Sequence, residues 1–183
     1  PAPPEKSGHG NSLLAVLHER DALPRSMPAL AIRLDSGAFF RGKDGGRHKL
    51  GLGSSAAVTM ALTGALLEAL APDLANTAPA IEIAMAAHRT LQGGAGSGID
   101  IVAAGVGGVV SLSRSANGDA VWQELSYPAG LSWIALWTGH SATTMDMLKN
   151  FDRFRESQPQ LFEAHVDDLS AISQAALVAW DRA

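Results

Sequence analysis

Lys49-Leu50-Gly51-Leu52-Gly53-Ser54-Ser55-Ala56-Ala57 gathers the residue types that hold an anion: a cation, two glycines, two hydroxyls and the start of an apolar helix. Gly51 and Gly53 lack a Cβ, so the backbone can bend tightly and approach a ligand closely. The first N–H groups of a helix have no intrahelical acceptor, and the helix dipole adds positive character there. Such an end suits a phosphate. Ser54 or Ser55 is expected to cap the helix through its side-chain oxygen. The lysine precedes the glycines, so this is not the G-x-x-x-x-G-K-[ST] phosphate loop. Taken alone, the motif reads as readily as a capped helix behind a glycine turn.

A second glycine stretch follows, Gly93-Gly94-Ala95-Gly96-Ser97-Gly98-Ile99-Asp100. Ser97 is placed to cap a short helix over 98–104, with Asp100 in its first turn. By spacing alone, an aspartate there completes a cap. Six histidines are scattered with no H-x-x-x-H pair, so no zinc motif is present. His88 reads as a satisfied interior or rim histidine.

In this order the two stretches resemble the GHMP kinases, the superfamily of galactokinase, homoserine kinase, mevalonate kinase and phosphomevalonate kinase. Within it the phosphomevalonate kinases are most similar. Lys49 stands before G-L-G-S-S-A-A. Leu34-Asp35-Ser36-Gly37-Ala38-Phe39-Phe40 resembles the family's strand ahead of that motif. Leu136-Trp137-Thr138-Gly139, followed by Ala142-Thr143-Thr144, resembles the strand and turn opening its second domain.

The resemblance implies an α+β fold in two domains, 1–127 holding both nucleotide motifs and 128–183 being the start of a second domain only partly present. It implies ATP and Mg2+ as cofactors, with a small phosphorylated or hydroxylated acceptor. Gly51, Leu52, Gly53, Ser54, Ser55 and Ala56 would wrap the ATP phosphates, Ser55 also reaching the metal. Lys49 would add positive charge. Asp100 would face the acceptor, with Ser97, Gly98, Thr138 and Gly139 near it. His48, Lys49, His88 and Arg89 are candidate cations for an acceptor that is itself a phosphate. Mevalonate kinases carry a Mg2+-binding glutamate on the helix before S-G-x-D. The matching segment here, Ala87-His88-Arg89-Thr90-Leu91-Gln92, has no carboxylate, and Gln92 is at best a weak substitute ligand.

Composition agrees with a globular enzyme. At 46% hydrophobic and 17% charged, with net charge −4, the chain has no global basic field for nucleic acid or membrane. No cysteine is present, which excludes disulfides and thiolate catalysis. No apolar run reaches the ~18 residues of a membrane span, and no signal peptide is visible. A cytoplasmic monomer or homodimer is expected. The chain starts at Pro1 and ends in a helical pattern. The family's N-terminal lysine strand and C-terminal glycine loop are not recognisable, so a piece of a longer protein is expected.

Residues 1–10 read as a loop. Helices are expected over 12–23, 55–70 (apolar nearly all round), 77–91, 98–104, 143–155 and 161–180, with Glu82 in the first turn of the third. Strands are expected over 29–34, 38–41, 109–113, 120–125 and 131–137, the last buried with Trp133 and Trp137 in a core. Asp44-Gly45-Gly46 and Asn117-Gly118 mark hairpins. Arg41, Lys43, Arg47, His48 and Lys49 form a basic cluster on a solvated loop. The segment 126–130 is the expected domain junction.

Overall fold

Helix α3, Thr77–Leu91, is the element against which the rest of the site-bearing region packs. The structure is a computed structural model that describes residues 8–42, 48–94, 96–115, 117–139 and 144–180. The expectations for Pro1 to Ser7, Lys43, Asp44-Gly45-Gly46, Arg47, Ala95, Ala142 and Thr143 lie outside the described residues.

Two faces of α3 are apolar. Ala80, Ile83 and Ala87 meet Leu13, Val16 and Leu17 of α1 (Gly8–Glu19) and Leu62, Leu66, Leu67 and Leu70 of α2 (Ser54–Leu70). Ile81 and Ala84 meet Ala56 of α2 and Ile101 and Val102 of α4 (Ile99–Val106). The second cluster continues onto Val110 and Leu112 of β3 (Val109–Arg114) and Trp122 of β4 (Ala120–Leu125). β3 and β4 form an antiparallel hairpin with Val109 opposite Leu125 and Arg114 opposite Ala120. Asn117-Gly118 lies in its turn, with Gly118 at φ +85°. A shorter ladder, β1 (Phe40–Arg41) with β2 (His48–Lys49), pairs Phe40 with Lys49. Helices α5 (Thr144–Ser157) and α6 (Pro159–Trp180) follow, joined by edge-on contacts of Phe162 with Phe151 and Phe154. The mixture of helices and small antiparallel sheets is the expected α+β class.

Several local expectations are corrected. Helix α1 begins at Gly8, inside the segment read as loop, because Leu13, Val16 and Leu17 give it a face that α2 and α3 bury. α2 is buried on one side rather than all round; Ala61, Ala65, Glu68 and Ala69 are exposed. Its N-cap is Gly53 in the left-handed region, with no side-chain cap bond from Ser54 or Ser55. The cap of α4 is Gly98, also left-handed, while the Ser97 hydroxyl accepts the Ile99 N–H at 3.3 Å. Glu82 lies beyond the first turn of α3 and pairs with Arg20 across 3.6 Å. Residues 29–34 form no strand, and 38–41 divide into a 3-10 turn, Gly37–Phe39, and β1.

The apolar run 131–137 has no ladder partner among the described residues. Trp133 is 72% exposed and Leu136 84%, so neither belongs to a described core. A strand needs a neighbour to take its N–H and C=O groups, and hydrophobicity does not supply one.

Gly105 marks a tight helix crossing. A Cβ there would stand 2.8 Å from Ile81 Cγ1 and 3.2 Å from Met60 Sδ. Alanine normally gains about 1 kcal/mol over glycine inside a helix. Ile81 is fully buried and branched, so overpacking outweighs that gain. Gly105→Ala is expected to lower stability by about 1–3 kcal/mol, read as a lower urea midpoint at unchanged slope. A higher midpoint would contradict this crossing.

Candidate active site

The glycine turn delivers α2 with a bare first turn. Gly51 and Gly53 both have positive φ, +77° and +71°, which a side chain would resist. The first helical bond runs from Ala57 N–H to the Gly53 carbonyl, 3.0 Å. The N–H groups of Ser54, Ser55 and Ala56 therefore have no acceptor within the helix. Leu52 is 63% exposed at the crest of the turn, and Ser54 and Ala56 are buried beneath it. Thr59 and Thr63 extend the Ser55 line down α2, and their hydroxyls bond back to the carbonyls of Ser55 and Thr59 at 2.9 and 2.8 Å. The two threonine hydroxyls thus find acceptors within their own helix, which lets this face of α2 pack closely.

On α3, Ile81, Ala84 and His88 share a face by i, i+3, i+7 spacing. His88 is 2% exposed. Its Nε2 lies 3.1 Å from Ser55 Oγ and 3.4 Å from Gln92 Nε2. Its Nδ1 lies 3.9 Å from Asp100 Oδ2. Asp100 is in the first turn of α4, where its Oδ1 accepts the Ile101 N–H at 3.0 Å. One carboxylate oxygen thus makes a local backbone contact at the start of α4, whose cap is Gly98, and the other lies toward His88. The second ring on Ser55 is His9, with Nε2 3.2 Å from the same Oγ.

The structure brings together Ser55, His88 and Asp100, which sequence reasoning had kept apart, and adds His9 and Gln92. His9 was missed because nothing in its surroundings marks it; only the docking of α1 carries it to Ser55. Gln92, considered as a metal ligand, has its amide nitrogen 3.4 Å from His88 Nε2. Lys49 is exposed on β2, two residues before the positive-φ turn. Thr138 and Gly139 follow Trp137, whose ring is 6.4 Å from that of His48, so this turn sits with the β1–β2 ladder.

Beside His88 is a cleft of about 210 Å³ lined by His88, Arg89, Gln92, Ser97, Gly98 and Arg114. Arg89 Nε donates to the Gly94 carbonyl at 2.9 Å. Arg114 donates to the carbonyls of Gly118 and Ser97 at 2.9 and 3.3 Å. Neither guanidinium pairs with a carboxylate among the described residues. The glycine loop is therefore bound to two cations whose charge is not neutralised. Arg114 was not singled out from sequence, since it is a strand-end arginine until the β3–β4 hairpin folds back on Ser97.

Burial, followed by the neighbouring His88, holds the His9 pKa below the ordinary histidine value. The folded form favours the neutral ring, so the unfolded chain takes up this proton first as pH falls. The corresponding stability is complete above the ordinary histidine value and is lost as pH drops from it through the lowered one. His9→Gln is expected to flatten that part of the stability–pH curve in denaturant titrations. An unchanged slope would remove His9 from the buried contact with Ser55.

Residues 14–108, just over half of the chain, match the GHMP kinases N terminal domain. The chain belongs to the GHMP kinases. The match covers α2, α3, α4 and both glycine stretches, together with the second half of α1. A mevalonate kinase of Thermococcus gammatolerans is 34% identical over 115 residues, covering 62% of this chain and 31% of the relative. A mevalonate kinase of Thermococcus onnurineus is 31% identical over 128 residues, covering 69% of this chain and 35% of the relative. The chain thus spans about a third of the length of these curated relatives. No solved structure matches it. Among the described residues no helix is long and apolar enough to cross a membrane.

Proposed function

We propose that this GHMP kinase transfers the γ-phosphoryl group of ATP to phosphomevalonate, giving diphosphomevalonate and ADP. The supporting observation is the cleft at Ser97–Gly98, where Arg89 and Arg114 present positive charge and no carboxylate lines the wall. An acceptor that is already a phosphate needs cations more than it needs a base. In this reading the acceptor's phosphate oxygen attacks the γ-phosphorus as the bond to the β-phosphate oxygen breaks. The N–H groups of Ser54, Ser55 and Ala56 hold ATP phosphates, and Lys49 adds charge at the same turn. Asp100 orients the acceptor, and the Thr138-Gly139 turn contributes to its pocket. The division into 1–127 and 128–183 belongs to the same reading, with the nucleotide between the two domains.

Mg2+ is usually held by one or two carboxylates plus phosphates and water. Asp100, with 43% of its side chain exposed, and the Ser55 hydroxyl are oxygen donors at these loops. Among the described residues no group of three or more acidic or histidine ligands could hold a metal. Such a donor set fits an ion carried in on the nucleotide. Bound there, it would neutralise charge on the transferring phosphoryl group.

The curated relatives favour a second reading, in which mevalonate is the acceptor. The absence of a carboxylate in 87–92 weighs against it. ADP release by the full chain with ATP–Mg2+ and phosphomevalonate, mevalonate or a sugar panel separates the two. Turnover with phosphomevalonate alone is expected. Turnover with mevalonate alone would replace the first reading by the second. No ADP from any acceptor would leave a folded but non-catalytic piece.

A further inference from the structure

We propose that His88 is a positioning residue joining the nucleotide side of the site to the acceptor side: its Nε2 takes the Ser55 hydroxyl proton and its Nδ1–H steadies the free oxygen of Asp100. The consequence for catalysis rests on the kinase reading above, but the geometry does not.

The direction of the hydrogen bonds follows from the donor inventory. Gln92 is placed with its amide nitrogen 3.4 Å from His88 Nε2, an orientation assigned from the hydrogen-bond network, and an amide nitrogen only donates. Its carbonyl oxygen is turned toward Gly96, where a Cβ would stand 2.5 Å from it. That orientation makes His88 Nε2 the acceptor and assigns the ring proton to Nδ1, facing Asp100. Ser55 must then donate to Nε2. Its Oγ is left to accept from His9, with one further lone pair still available.

On the other side of the ring, the Asp100 carboxylate is half committed. Oδ1 is held by the Ile101 N–H, so only Oδ2 is free to swing. The 3.9 Å to His88 Nδ1 is an ion-pair distance, and closure by about 1 Å would make it a hydrogen bond. His88 is buried between α2 and α4, so its ring cannot follow either oxygen independently. One rigid imidazole therefore sets the separation between the serine at the phosphate turn and the aspartate at the acceptor. Phosphoryl transfer is sensitive to that separation, because most of its catalysis is positioning.

Two conservative variants divide the roles, because a glutamine amide reaches where Nε2 stood and an asparagine amide where Nδ1 stood. In the full chain, His88→Gln is expected to keep the KM for ATP within about 2-fold and to lower kcat by about 10-fold. His88→Asn is expected to raise the KM for ATP by about 10-fold with a smaller loss in kcat. His88→Leu removes both contacts and is expected to cost about 100-fold in kcat/KM. Equal losses in all three variants, in parallel with lost thermal stability, would reduce His88 to packing and overturn the proposal.

The imidazole nitrogen NMR signals provide a readout independent of turnover. The Nδ1–H tautomer is expected, with its signals moved by both Ser55→Ala and Asp100→Asn. An Nε2–H tautomer, or signals indifferent to both substitutions, would overturn the proposal. If the unsubstituted chain released no ADP with any acceptor, the kinase reading would fail, and these signals alone would decide the coupling.

Discussion

Asp100→Ala is expected to lower turnover by about 10²–10⁴-fold while the protein stays folded. The side chain is 43% exposed at the first turn of α4, so its removal leaves no cavity. Its structural part is a bond from the Ile101 N–H, which the Gly98 carbonyl also accepts at 3.1 Å, so losing it costs less than about 1 kcal/mol. Asp100→Asn keeps an oxygen for that bond and removes the charge. Comparison of the two variants therefore separates this backbone contact from the chemistry. The size of the loss also reports the acceptor. A hydroxyl must give up a proton as it attacks, which places mevalonate at the high end of the range. A phosphate acceptor is already ionised and places the loss at the low end. Steady-state ADP release by both variants is the measurement. A loss below about 3-fold would take Asp100 out of the reaction, because a charge at the acceptor is worth more than that.

Leu13→Ala is expected to destabilise the protein by about 2–5 kcal/mol. Leu13 is fully buried and joins α1 to the leucines of α2 and to the alanines and Ile83 of α3. A loss of this size is a large part of the ~5–15 kcal/mol that holds a typical domain together. The substitution acts on the site as well, because α1 carries His9 to Ser55. Denaturant unfolding followed by circular dichroism would show the lower midpoint. His9→Gln in the same background is expected to add less than it does alone, since the contact it removes is already weakened. A midpoint within about 1 kcal/mol of the parent would mean that α1 is not part of this core.

The helices were legible because their apolar residues recur at helical spacing and because Pro79, Gly53 and Gly98 punctuate them. The bounds of α3 and of β4 agree with the sequence reading. The two glycine stretches were legible as turns into helices, and the Asn117-Gly118 hairpin by its turn chemistry. The caps were misassigned, because a serine beside a glycine advertises a side-chain cap while the left-handed glycine ends up doing the turning. The apolar stretch 131–137 looked like a core strand, because alternation and hydrophobicity describe a segment and not its neighbour. The link through His88 could not be read at all. A buried histidine on an apolar face is ambiguous until the partners of both ring nitrogens are known, and those partners come from α2 and α4.

The way α6 is attached has a consequence in the time domain. It carries exposed Leu169 and Ile172, meets α5 through phenylalanine edges, and reaches back with the Trp180 indole N–H to the Ser126 carbonyl at 2.6 Å. Segments with few buried side chains exchange their amide hydrogens through small, frequent openings, whereas core helices wait for global unfolding. The amides of α5 and α6 would therefore exchange early and those of α2 and α3 last. Ser55 and His88 belong to the slow set, so their contact would outlast the breathing of the helices that follow it.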